Sequence, residues 1–431
     1  MTTQLPPGPS ASVLRQSLQW GFRPRPFLDA AHKRYGDMFT IRLGQVGPVV
    51  MLAHPDMIKE VFTGDPAVFH AGEANVILRP SLGRHSVLLL DDAQHLRQRK
   101  LLLPPFHGER MTRYGELMRD IAERDIATWP RGVPFRLHTH TQEVTMTIIV
   151  RAVFGVTDPE RSQRLRDGLK QFIEWGTSPR QIAYLAFMDV DRIERNLFFR
   201  RARAKVDAVV YEEIRHARER EDLDEREDIL SLLLQARHED GSPMSDEELR
   251  DELMTLLLAG HETTATSLAW AIERLVRHPA AMERLTVEAA EGGTEYAEAV
   301  TKETLRMRPV LPIVARLLKR DVEVGGTLLP EGVVVAPNIY LVQHREDVYP
   351  DARRFRPERF LEGQGGTYSW IPFGGGIRRC IGASFALYEM RIVLQAMVSS
   401  VALRAAKPES EPVGRRSITL TPRHGAEVVA A

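Results

Sequence analysis

The chain contains 431 residues, and its 58 Lys and Arg residues are matched by 58 Asp and Glu residues. The net charge is therefore zero, so the chain as a whole has no electrostatic field that would attract nucleic acid or a charged membrane. Apolar residues make up 43% of the sequence, an ordinary share for a chain with a sizeable core. No apolar run approaches the roughly 18–20 residues needed to span a bilayer, and the N-terminus lacks the layout of a signal peptide. We therefore expect a soluble, cytoplasmic protein that binds no nucleic acid and has no membrane anchor.

The sequence predicts a mainly helical fold with small β elements. Residues 37–52 predict a β-hairpin, because apolar and β-branched residues alternate around turn signals at Gly44 and Gly47. A short helix over 54–64 precedes a long irregular loop over 73–90, and long loops in compact domains are usually functional. Helical spacing with charged outer faces continues in the segments 111–128, 141–155, 160–175 and 192–219.

The clearest predicted helix extends from Asp246 to Arg277. Ser245 and Glu248 have the spacing of a capping box at its start, and the proline after His278 restrains its end. Apolar residues recur along one stripe of this helix. At 1.5 Å per residue it is roughly 45–50 Å long, enough to cross a domain of this size. We therefore expect it at the centre of the fold.

The middle of this helix, Ala259-Gly260-His261-Glu262-Thr263-Thr264, interrupts the apolar stripe with an acid and hydroxyl groups. A glycine inside a helix costs roughly 1 kcal/mol relative to alanine, so Gly260 indicates close approach by another group. A threonine hydroxyl that bonds to the carbonyl one turn earlier loosens the helix and makes room for water. One interpretation is a kink with a solvated glutamate. A zinc site of the H-E-x-x-H type is excluded because position 265 is alanine.

Two further patterns lie nearer the C-terminus. Glu303 and Arg306 share one helical face, and as an exposed pair they would contribute roughly a few tenths of a kcal/mol. Cys380 is the only cysteine, so packing, redox sensing, nucleophilic attack and metal ligation are open to it, whereas an internal disulfide is not. The three glycines before it let the backbone pass close to a flat ligand. Arg378 and Arg379 favour the thiolate, which is the form that binds metals.

The decapeptide Phe373-Gly-Gly-Gly-Ile-Arg-Arg-Cys380-Ile-Gly382 resembles the haem-binding loop of the cytochrome P450 monooxygenases, in which a cysteine thiolate is the fifth ligand of haem iron. Further motifs follow in the family's order along the chain, and the resemblance runs from about Pro6 to about Thr421. It implies one domain over 1–431 that is mainly α with small β-sheets. It also implies a flexible proline-rich segment at 1–9 and a long central helix that crosses over haem.

The resemblance implies a haem b cofactor whose axial thiolate comes from Cys380. The middle of the long helix is similar to the family's oxygen-binding motif, so Thr263 would hydrogen-bond dioxygen. Glu262 would help to relay protons from solvent, since a carboxylate and a hydroxyl joined by water form a chain of general acids. Thr263 and Glu262 are therefore the predicted catalytic residues.

The same resemblance assigns residues to the haem pocket. Glu303 and Arg306 match the family's Glu-x-x-Arg motif, which Arg359 completes, and we expect a buried network that supports folding and haem retention. The two haem propionates need cations, and arginine suits bidentate binding of a carboxylate. The residues expected to contact haem are His95, Arg99, Ala259, Gly260, Arg316, Phe373, Gly374, Arg378 and Gly382.

The substrate pocket is expected where several aliphatic segments converge, and such walls favour an apolar substrate. Fatty acids, terpenoids, steroids and polyketides all satisfy this description. The expected segments are the loop at 73–90, helices within 165–200, the long helix near Leu256, Ala259 and Thr263, residues 310–314 and the turn at 418–420.

Each turnover of such an enzyme needs two electrons, and the resemblance leaves no room for a fused reductase. It implies a separate ferredoxin or flavodoxin with an NAD(P)H-dependent reductase. Arg97, Lys100, Arg378 and Arg379 form a candidate basic patch for an acidic partner. If Arg378 is buried on a propionate, its charge is not fully available to an acidic partner.

The leading functional hypothesis is a haem-thiolate monooxygenase that inserts one oxygen atom of dioxygen into an apolar molecule, by hydroxylation or epoxidation. A second hypothesis is a peroxide-driven peroxygenase on the same scaffold, against which the presence of both Glu262 and Thr263 counts. A third is a haem-based sensor without turnover.

Overall fold

The structure is a computed structural model that describes residues 5–44, 46–106, 110–177, 189–363 and 365–431. Its helices, numbered in chain order, are α1 (Val13–Phe22), α2 (Pro24–Tyr35), α3 (Pro55–Thr63), α4 (Ala71–Ala74), α5 (Arg79–Leu82), α6 (Asp92–Leu102), α7 (Arg110–Ile126), α8 (Leu137–Phe154), α9 (Pro159–Thr177), α10 (Val190–Arg195), α11 (Leu197–Arg218), α12 (Ile229–Gln235), α13 (Asp246–Leu275), α14 (Pro279–Ala290), α15 (Glu295–Met307), α16 (Ile339–Val342), α17 (Glu358–Leu361) and α18 (Ala383–Ser400). Over these described residues, none of the helices combines the length and the apolar character that crossing a bilayer requires.

The strands form one larger sheet and several small ones. They are β1 (Met38–Leu43), β2 (Gly47–Leu52), β3 (Phe69–His70), β4 (Pro134–Arg136), β5 (Arg316–Leu318), β6 (Val322–Val324), β7 (Thr327–Leu329), β8 (Val334–Pro337), β9 (Leu403–Ala405), β10 (Val413–Arg416), β11 (Thr419–Pro422) and β12 (Glu427–Ala430). The larger sheet has the order β1-β2-β8-β5-β3, and the small sheets are β10-β11, β4-β12-β9 and β6-β7. The predicted fold class, mainly α with small β-sheets, is therefore confirmed. The predicted hairpin is β1 paired with β2.

The described part of the predicted flexible segment, residues 5–9, lies along β1. Pro7 O accepts a hydrogen bond from Thr40 N at 3.0 Å, and Pro6 is buried. A Cβ on Gly8 would lie 1.8 Å from Thr40 O, so only glycine fits there. The backbone at Pro7 thus pairs with the strand, residues 1–4 lie outside the described residues, and the flexible segment over 1–9 stays a prediction.

Helix α13 has the predicted start and central position, and it ends two residues before the predicted Arg277. Ser245 Oγ accepts from Glu248 N at 3.2 Å, and Glu248 Oε2 accepts from Ser245 N at 2.8 Å, so the capping box is present. The helix ends at Leu275, and Pro279 starts the next one. Its 30 residues extend about 45 Å, and most of its side chains are buried.

The largest hydrophobic core surrounds α13 and includes side chains from α8, α11 and α18. Two smaller cores cover the two faces of the larger sheet. Alternate residues of β2 enter different cores: Val50 and Leu52 pack into one, Val49 and Met51 into the other. This alternation follows from the two-residue period of a strand, and it shows that the sheet is buried on both faces.

Helices α8 and α13 pack closely at the middle of α13. A Cβ on Gly260 would lie 3.0 Å from Ile149 Cδ1, so the close approach that Gly260 permits is made by α8. One residue further on, the buried His261 places Nδ1 2.9 Å from Thr145 Oγ1. His261 is therefore satisfied within the helix pair, in agreement with the exclusion of a zinc site.

Two predicted segments differ in detail from the structure. The loop over 73–90 contains helical turns, among them α5. The predicted helix over 192–219 is divided at Asn196, whose Oδ1 accepts from Phe198 N at 2.9 Å and Phe199 N at 3.0 Å. Asparagine in this role starts a new helix, so the segment splits into α10 and α11.

The second half of the 73–90 loop is attached to α13 by buried polar side chains. The bonds are Arg250 Nη1 to Leu82 O (3.0 Å), His85 N to Asp251 Oδ2 (2.9 Å), Val87 N to Glu252 Oε1 (2.8 Å) and Thr255 Oγ1 to Ser86 Oγ (2.7 Å). We call these contacts the loop clamp. A Cβ on Gly83, which has a positive φ of 93°, would collide with the Asp251 carboxylate, so glycine is required at this point.

Glu389 on α18 is a buried acid with an unsatisfied atom. Its Oε1 has no hydrogen-bond partner among the residues that the structure describes. Burial raises the pKa of Glu389 well above the ordinary value of 4.5. The carboxyl therefore keeps its proton to a higher pH in the folded protein than in the unfolded chain.

Glu389→Gln is expected to stabilise the protein at about pH 7.5 and to have almost no effect near about pH 4. Stability falls as pH rises above the unfolded pKa, because the folded state binds the proton more tightly, and glutamine removes this loss. The free energy of unfolding at about pH 7.5 is therefore expected to be higher in Glu389→Gln than in the parent protein. Thermal unfolding at both pH values measures it. Glu323→Gln, on an exposed position of β6, is the control, and an equal response of the two variants would contradict this account.

Candidate active site around Cys380

The only cysteine lies at the end of a tight loop that precedes α18. Cys380 N donates to Phe373 O at 3.0 Å, and Gly374 N donates to Ile371 O at 3.0 Å. A 3-10 turn over Gly376–Arg378 completes the loop, and α18 begins shortly after the cysteine. Cys380 therefore lies close to a helix N-terminus, where the partial positive charge of the helix favours an anion.

Two of the loop's glycines are needed for contact with α3. A Cβ on Gly375 would lie 2.2 Å from Cδ2 of Phe62, and a Cβ on Gly376 would lie 2.2 Å from Phe62 O. At both positions the close approach that was expected from a flat ligand is made by Phe62. A Cβ on Gly374 would meet only Val314, at 3.6 Å, and its φ of 66° favours glycine.

The Cys380 side chain is exposed, although the loop around it is packed. Loss of hydration nevertheless raises the pKa of its thiol, while the Gly382 N–H and the positive charges of Arg99 and Arg379 act in the opposite direction. The thiol is therefore accessible, but its raised pKa disfavours ionisation. Such a thiol becomes a thiolate readily only with a strong positive partner such as a metal ion.

Arg378 joins this loop to the residues before α6. Its guanidinium contacts the Asp91 carboxylate and donates to Leu90 O at 2.5 Å and to Val87 O at 3.3 Å. Asp91 also accepts from Gly72 N at 2.9 Å. Arg378 is largely buried by these contacts, so it does not belong to the surface patch that was predicted with Arg97, Lys100 and Arg379.

The structure brings His95, Arg99, Arg316 and Arg378 together, and we call them the basic cluster. Burial, together with the charges of Arg378, Arg99 and Arg316, lowers the pKa of His95 to about 3 although Asp91 opposes the shift. Burial and the charge of Arg378 lower the pKa of Arg316 to about 10. Within the described part of the chain, the buried Nδ1 of His95 has no hydrogen-bond partner.

Two members of the basic cluster donate to backbone carbonyls. Arg99 Nη2 donates to Arg379 O at 2.7 Å, and Arg316 Nη1 donates to Ala315 O at 2.8 Å. Neither carbonyl supplies a full negative charge, and Arg316 is buried whereas Arg99 is partly exposed. An anion with two charges would match this environment, because buried charges are stable only when paired.

Glu303, Arg306 and Arg359 form the predicted buried network. All three side chains are fully buried. Arg306 Nε lies 2.6 Å from Glu303 Oε2 and its Nη2 lies 2.8 Å from Oε1, while Arg359 Nε lies 3.2 Å from Oε1. The carboxylate also accepts from Arg356 N at 2.9 Å. Every oxygen of the acid is thus engaged.

This network is connected to the cysteine loop by side chains from neighbouring elements. Gln343 Nε2 donates to the carbonyls of Leu305 and Arg306 at 3.0 Å each, and its Oε1 accepts from Ile371 N at 3.0 Å. Trp370 Nε1 donates to Lys302 O at 3.2 Å. The start of the cysteine loop is therefore built directly on α15.

The middle of α13 is accessible although the helix is buried on either side of it. Ala259 is exposed, and Thr263 is partly exposed. Thr263 Oγ1 donates to Ala259 O at 2.6 Å, which is the bond to the preceding turn that the sequence predicts. An exposed position in the middle of a buried helix faces a concavity inside the protein.

The side chain of Glu262 lies between α13, α8 and β10. Gln142 Nε2 donates to its Oε2 at 2.8 Å, and Arg416 Nη1 lies 3.4 Å from the same oxygen. His138 Nε2 lies 3.8 Å from Oε1. Burial raises the pKa of Glu262 above the ordinary value of 4.5, although Arg416 and Gln142 both act to lower it.

Several segments predicted to form the substrate pocket are in contact. Arg79 on α5 pairs with Glu194 of α10 at 3.0 Å, so the 73–90 loop meets the 165–200 region. Leu420 N donates to Val310 O at 2.7 Å, so the turn at 418–420 contacts the segment 310–314. Residues 178–188, part of the predicted pocket wall, lie outside the described residues.

Comparison with known proteins identifies the family. The family model for cytochrome P450 matches residues 6–426. The chain is 42% identical over 436 residues to a Mycobacterium tuberculosis protein provisionally named cytochrome P450 135B1, covering 98% of this chain and 91% of that protein. It is 38% identical over 430 residues to another protein of that organism, provisionally named cytochrome P450 135A1, covering 99% and 95%. The chain belongs to the cytochrome P450 family.

Two solved structures share the fold of this P450. A cyanobacterial CYP120A1 with bound retinoic acid has a TM-score of 0.86 at 22% identity, and the comparison covers 100% of both chains. The haem domain of cytochrome P450DA has a TM-score of 0.84 at 22% identity, covering 99% of this chain and 97% of that one. At these identities the likeness confirms the fold alone.

The residues of this P450 fit the haem that the family holds through a cysteine thiolate. Cys380 is the only cysteine of the chain, and its accessible thiol supplies the ligand. The unpartnered Nδ1 of His95 and the charges of Arg99 and Arg316 match the two propionates of haem b. Haem b is therefore the cofactor.

All of the predicted haem contacts remain predictions. Phe373 and Gly374 belong to the cysteine loop, and Phe373 packs edge-to-face on Trp370 with ring centroids 6.1 Å apart. Gly382 is the N-cap residue of α18. Ala259 lies in the accessible part of α13. Gly260 instead packs against Ile149 of α8.

Three partners of the site were missed by sequence reasoning. Arg416 and Gln142 hold Glu262, and Asp91 holds Arg378. No local pattern links Arg416 to an acid 154 residues away. The polar stripe His138, Gln142 and Thr145 on α8, at helical spacing, does indicate a polar contact with another helix.

Glu303→Gln is expected to lower both the melting temperature and the haem content of purified protein. The change leaves Arg306 and Arg359 buried without a counter-charge, and breaking a buried ion pair in this way costs about 3–5 kcal/mol. Thermal unfolding and the ratio of haem to protein absorbance measure the effect. Arg356→Gln is the control, since that side chain pairs with Glu362 near the surface and its loss costs about 1 kcal/mol or less. Unchanged values for Glu303→Gln would show that the network is dispensable.

Proposed function

We propose that this P450 monooxygenase inserts one oxygen atom of dioxygen into an apolar small molecule, by hydroxylation or epoxidation. The observation that carries the proposal is the accessible interruption of α13, where Ala259 and Thr263 face a concavity in a helix that is otherwise buried. One oxygen atom enters the substrate, and the other leaves as water after taking up two electrons and two protons. When bound, haem supplies the iron at which dioxygen is reduced.

Thr263 is proposed to hold a hydrogen-bonded group at the reacting oxygen. Its hydroxyl proton is engaged with Ala259 O at 2.6 Å, so the oxygen lone pairs of Thr263 are available to accept a hydrogen bond. A hydroxyl in this state steadies a water molecule or a protonated oxygen next to it. It therefore helps to deliver protons to one oxygen atom and not to other positions.

Glu262 is proposed to carry protons from solvent toward Thr263. Burial raises the pKa of its carboxyl, so that the group takes up and releases protons closer to neutral pH than an ordinary glutamate. A general acid works best when its pKa lies near the working pH. The carboxyl then passes its proton to water on the Thr263 side and returns to the ionised form.

The substrate is proposed to be an apolar molecule such as a fatty acid, terpenoid, steroid or polyketide. Val76 and Ile77, before α5, are 42% and 51% exposed, and Ile418 in the β10–β11 turn is 41% exposed. These side chains belong to segments expected at the pocket. Accessible aliphatic groups favour a ligand that buries apolar surface.

Electrons are proposed to come from a ferredoxin or flavodoxin with an NAD(P)H-dependent reductase. Arg97 and Arg379 are exposed, and Lys100 Nζ lies 3.1 Å from Glu239 Oε1 in an exposed pair. These three residues form the docking patch, without Arg378. An acidic partner would be steered to positive charge close to the cysteine loop.

Thr263→Ala is expected to lower the product formed per NAD(P)H consumed by about tenfold or more, since positioned proton transfer contributes at least about 10²-fold. The assay uses an apolar substrate selected because it moves the Soret band to shorter wavelength. Thr264→Ala, at the adjacent buried position, should keep most of the coupling.

The same variant distinguishes the alternative functions. A peroxygenase would keep its peroxide-driven product formation in Thr263→Ala and form little product with NAD(P)H in the parent protein. A sensor would form no product with peroxide, and none with NAD(P)H and dioxygen. Full coupling in Thr263→Ala would refute the role given to Thr263.

Neutralising the docking patch with Arg97→Gln and Lys100→Gln is expected to slow reduction by the partner about tenfold at low salt, because steering by charge accelerates encounter. The dependence of the rate on ionic strength should also become flatter. Stopped-flow reduction at several salt concentrations measures both quantities. Arg164→Gln, an exposed charge on α9, is the control, and an unchanged rate in the double variant would refute the patch.

A further inference from the structure

A small cavity lies between α2, the C-terminal part of α13 and the residues that follow α15. Arg25, Trp270, Arg308 and Tyr340 are among the residues that line it. Its volume is about 10 Å³, which is enough for one ligand the size of a water molecule or a single-atom ion. A nucleotide, a peptide or a fatty acid does not fit in it.

Two arginines in the wall of this cavity have unused hydrogen-bond donors. The Nε atoms of Arg25 and Arg308 are buried and have no hydrogen-bond partner among the residues that the structure describes. Arg308 Nη1 donates to Met307 O at 3.2 Å, which is a neutral acceptor. Buried polar groups are nearly always hydrogen-bonded, so each unpartnered donor needs an explanation. Two of them around one cavity indicate a ligand that accepts hydrogen bonds.

Aromatic rings hold both guanidinium groups in place. Arg308 Cζ lies 5.1 Å from the centroid of the Trp270 ring, and Arg25 Cζ lies 4.9 Å from the centroid of the Tyr340 ring. Trp270 Nε1 donates to Leu420 O at 3.4 Å, so this ring is itself fixed in the core. A guanidinium stacked on a ring keeps the N–H groups of its edge available for an anion.

The carboxylates one helical turn from the lining residues are bound to other groups. Asp29 on α2 accepts from Tyr340 Oη at 3.1 Å and from Arg353 Nη2 at 3.2 Å. Glu273 on α13 accepts from Arg277 Nε at 2.6 Å. Both acids are therefore already engaged, and neither is a dedicated counter-charge for the cavity.

The electrostatics of Arg308 agree with this description. Burial lowers the pKa of Arg308 to about 9, and the positive charges of Arg25 and Arg274 act in the same direction. Glu273 and Tyr340 oppose the shift but do not cancel it. Buried charges are stable when they are paired, so negative charge in the cavity would stabilise this part of the fold.

We propose that the cavity between Arg25 and Arg308 is a binding site for a small monovalent anion of the size of chloride. The ion accepts hydrogen bonds from both guanidinium groups and supplies the negative charge that the cavity lacks. A water molecule accepts the same bonds but leaves both positive charges unbalanced. The bound ion joins α2 to the segment after α15, so it stabilises the folded chain.

The test is a chloride titration of the holoprotein in sodium gluconate at constant ionic strength, with the melting temperature as the readout. The melting temperature is expected to rise by about 2–3 °C when chloride reaches roughly a hundred times its Kd. Arg308→Gln and Arg25→Gln should each lose most of this response. Arg23→Gln, at an exposed position at the start of α2, is the matched control and should keep it. A general salt effect would be equal in all four proteins.

A second measurement locates the ion and does not depend on turnover or on the stability of Arg308→Gln. Crystals of the holoprotein grown in sodium bromide should give an anomalous scattering peak between the two guanidinium groups, and the peak should weaken in Arg25→Gln. The proposal is overturned if the cavity holds only water in these crystals. It is also overturned if chloride raises the melting temperature equally in the parent and in both cavity variants. A bromide peak without a chloride response in solution overturns it too, because binding is then confined to crystal concentrations.

Discussion

The position of the haem ligand depends on the buried carboxylate of Glu303. Its contacts with Arg306 and Arg359 hold α15 to the segment after α16, and Gln343 and Trp370 extend this frame to the start of the cysteine loop. Buried charges tolerate little displacement, because each unpaired charge costs several kcal/mol. The network therefore acts at a distance: it makes no contact with Cys380 but determines where the loop that presents the thiol begins.

Positive charge in the interior links the cysteine loop to the residues before α6. Arg378 pairs with Asp91, and Arg99 donates to a carbonyl of the cysteine loop. Without an anionic cofactor this group of arginines would be costly to bury. We therefore expect haem binding to stabilise the fold, since its propionates would add negative charge beside these arginines.

Local signals predicted much of this structure. The capping box at Ser245, the β1–β2 hairpin and the decapeptide around Cys380 each involve residues close in sequence, so their physical cause is visible in the chain. Contacts between distant residues were not predictable: Phe62 against Gly375, Ile149 against Gly260 and Arg416 against Glu262 depend on tertiary packing. The break at Asn196 was partly predictable. An asparagine at a helix start is a recognisable cap, but the amphipathic pattern continues through 192–219 and favours a single helix.

The loop clamp attaches the 73–90 segment to α13 only from Leu82 onward. Buried side chains from α13 secure the part after Gly83, whereas the part before it is cross-linked at its end by Arg79, which pairs with acids of α10 that are partly open to water. Such surface pairs are weak and are screened by salt. The contact between α5 and α10 is thus expected to weaken as ionic strength rises, whereas the buried bonds of the loop clamp should respond less.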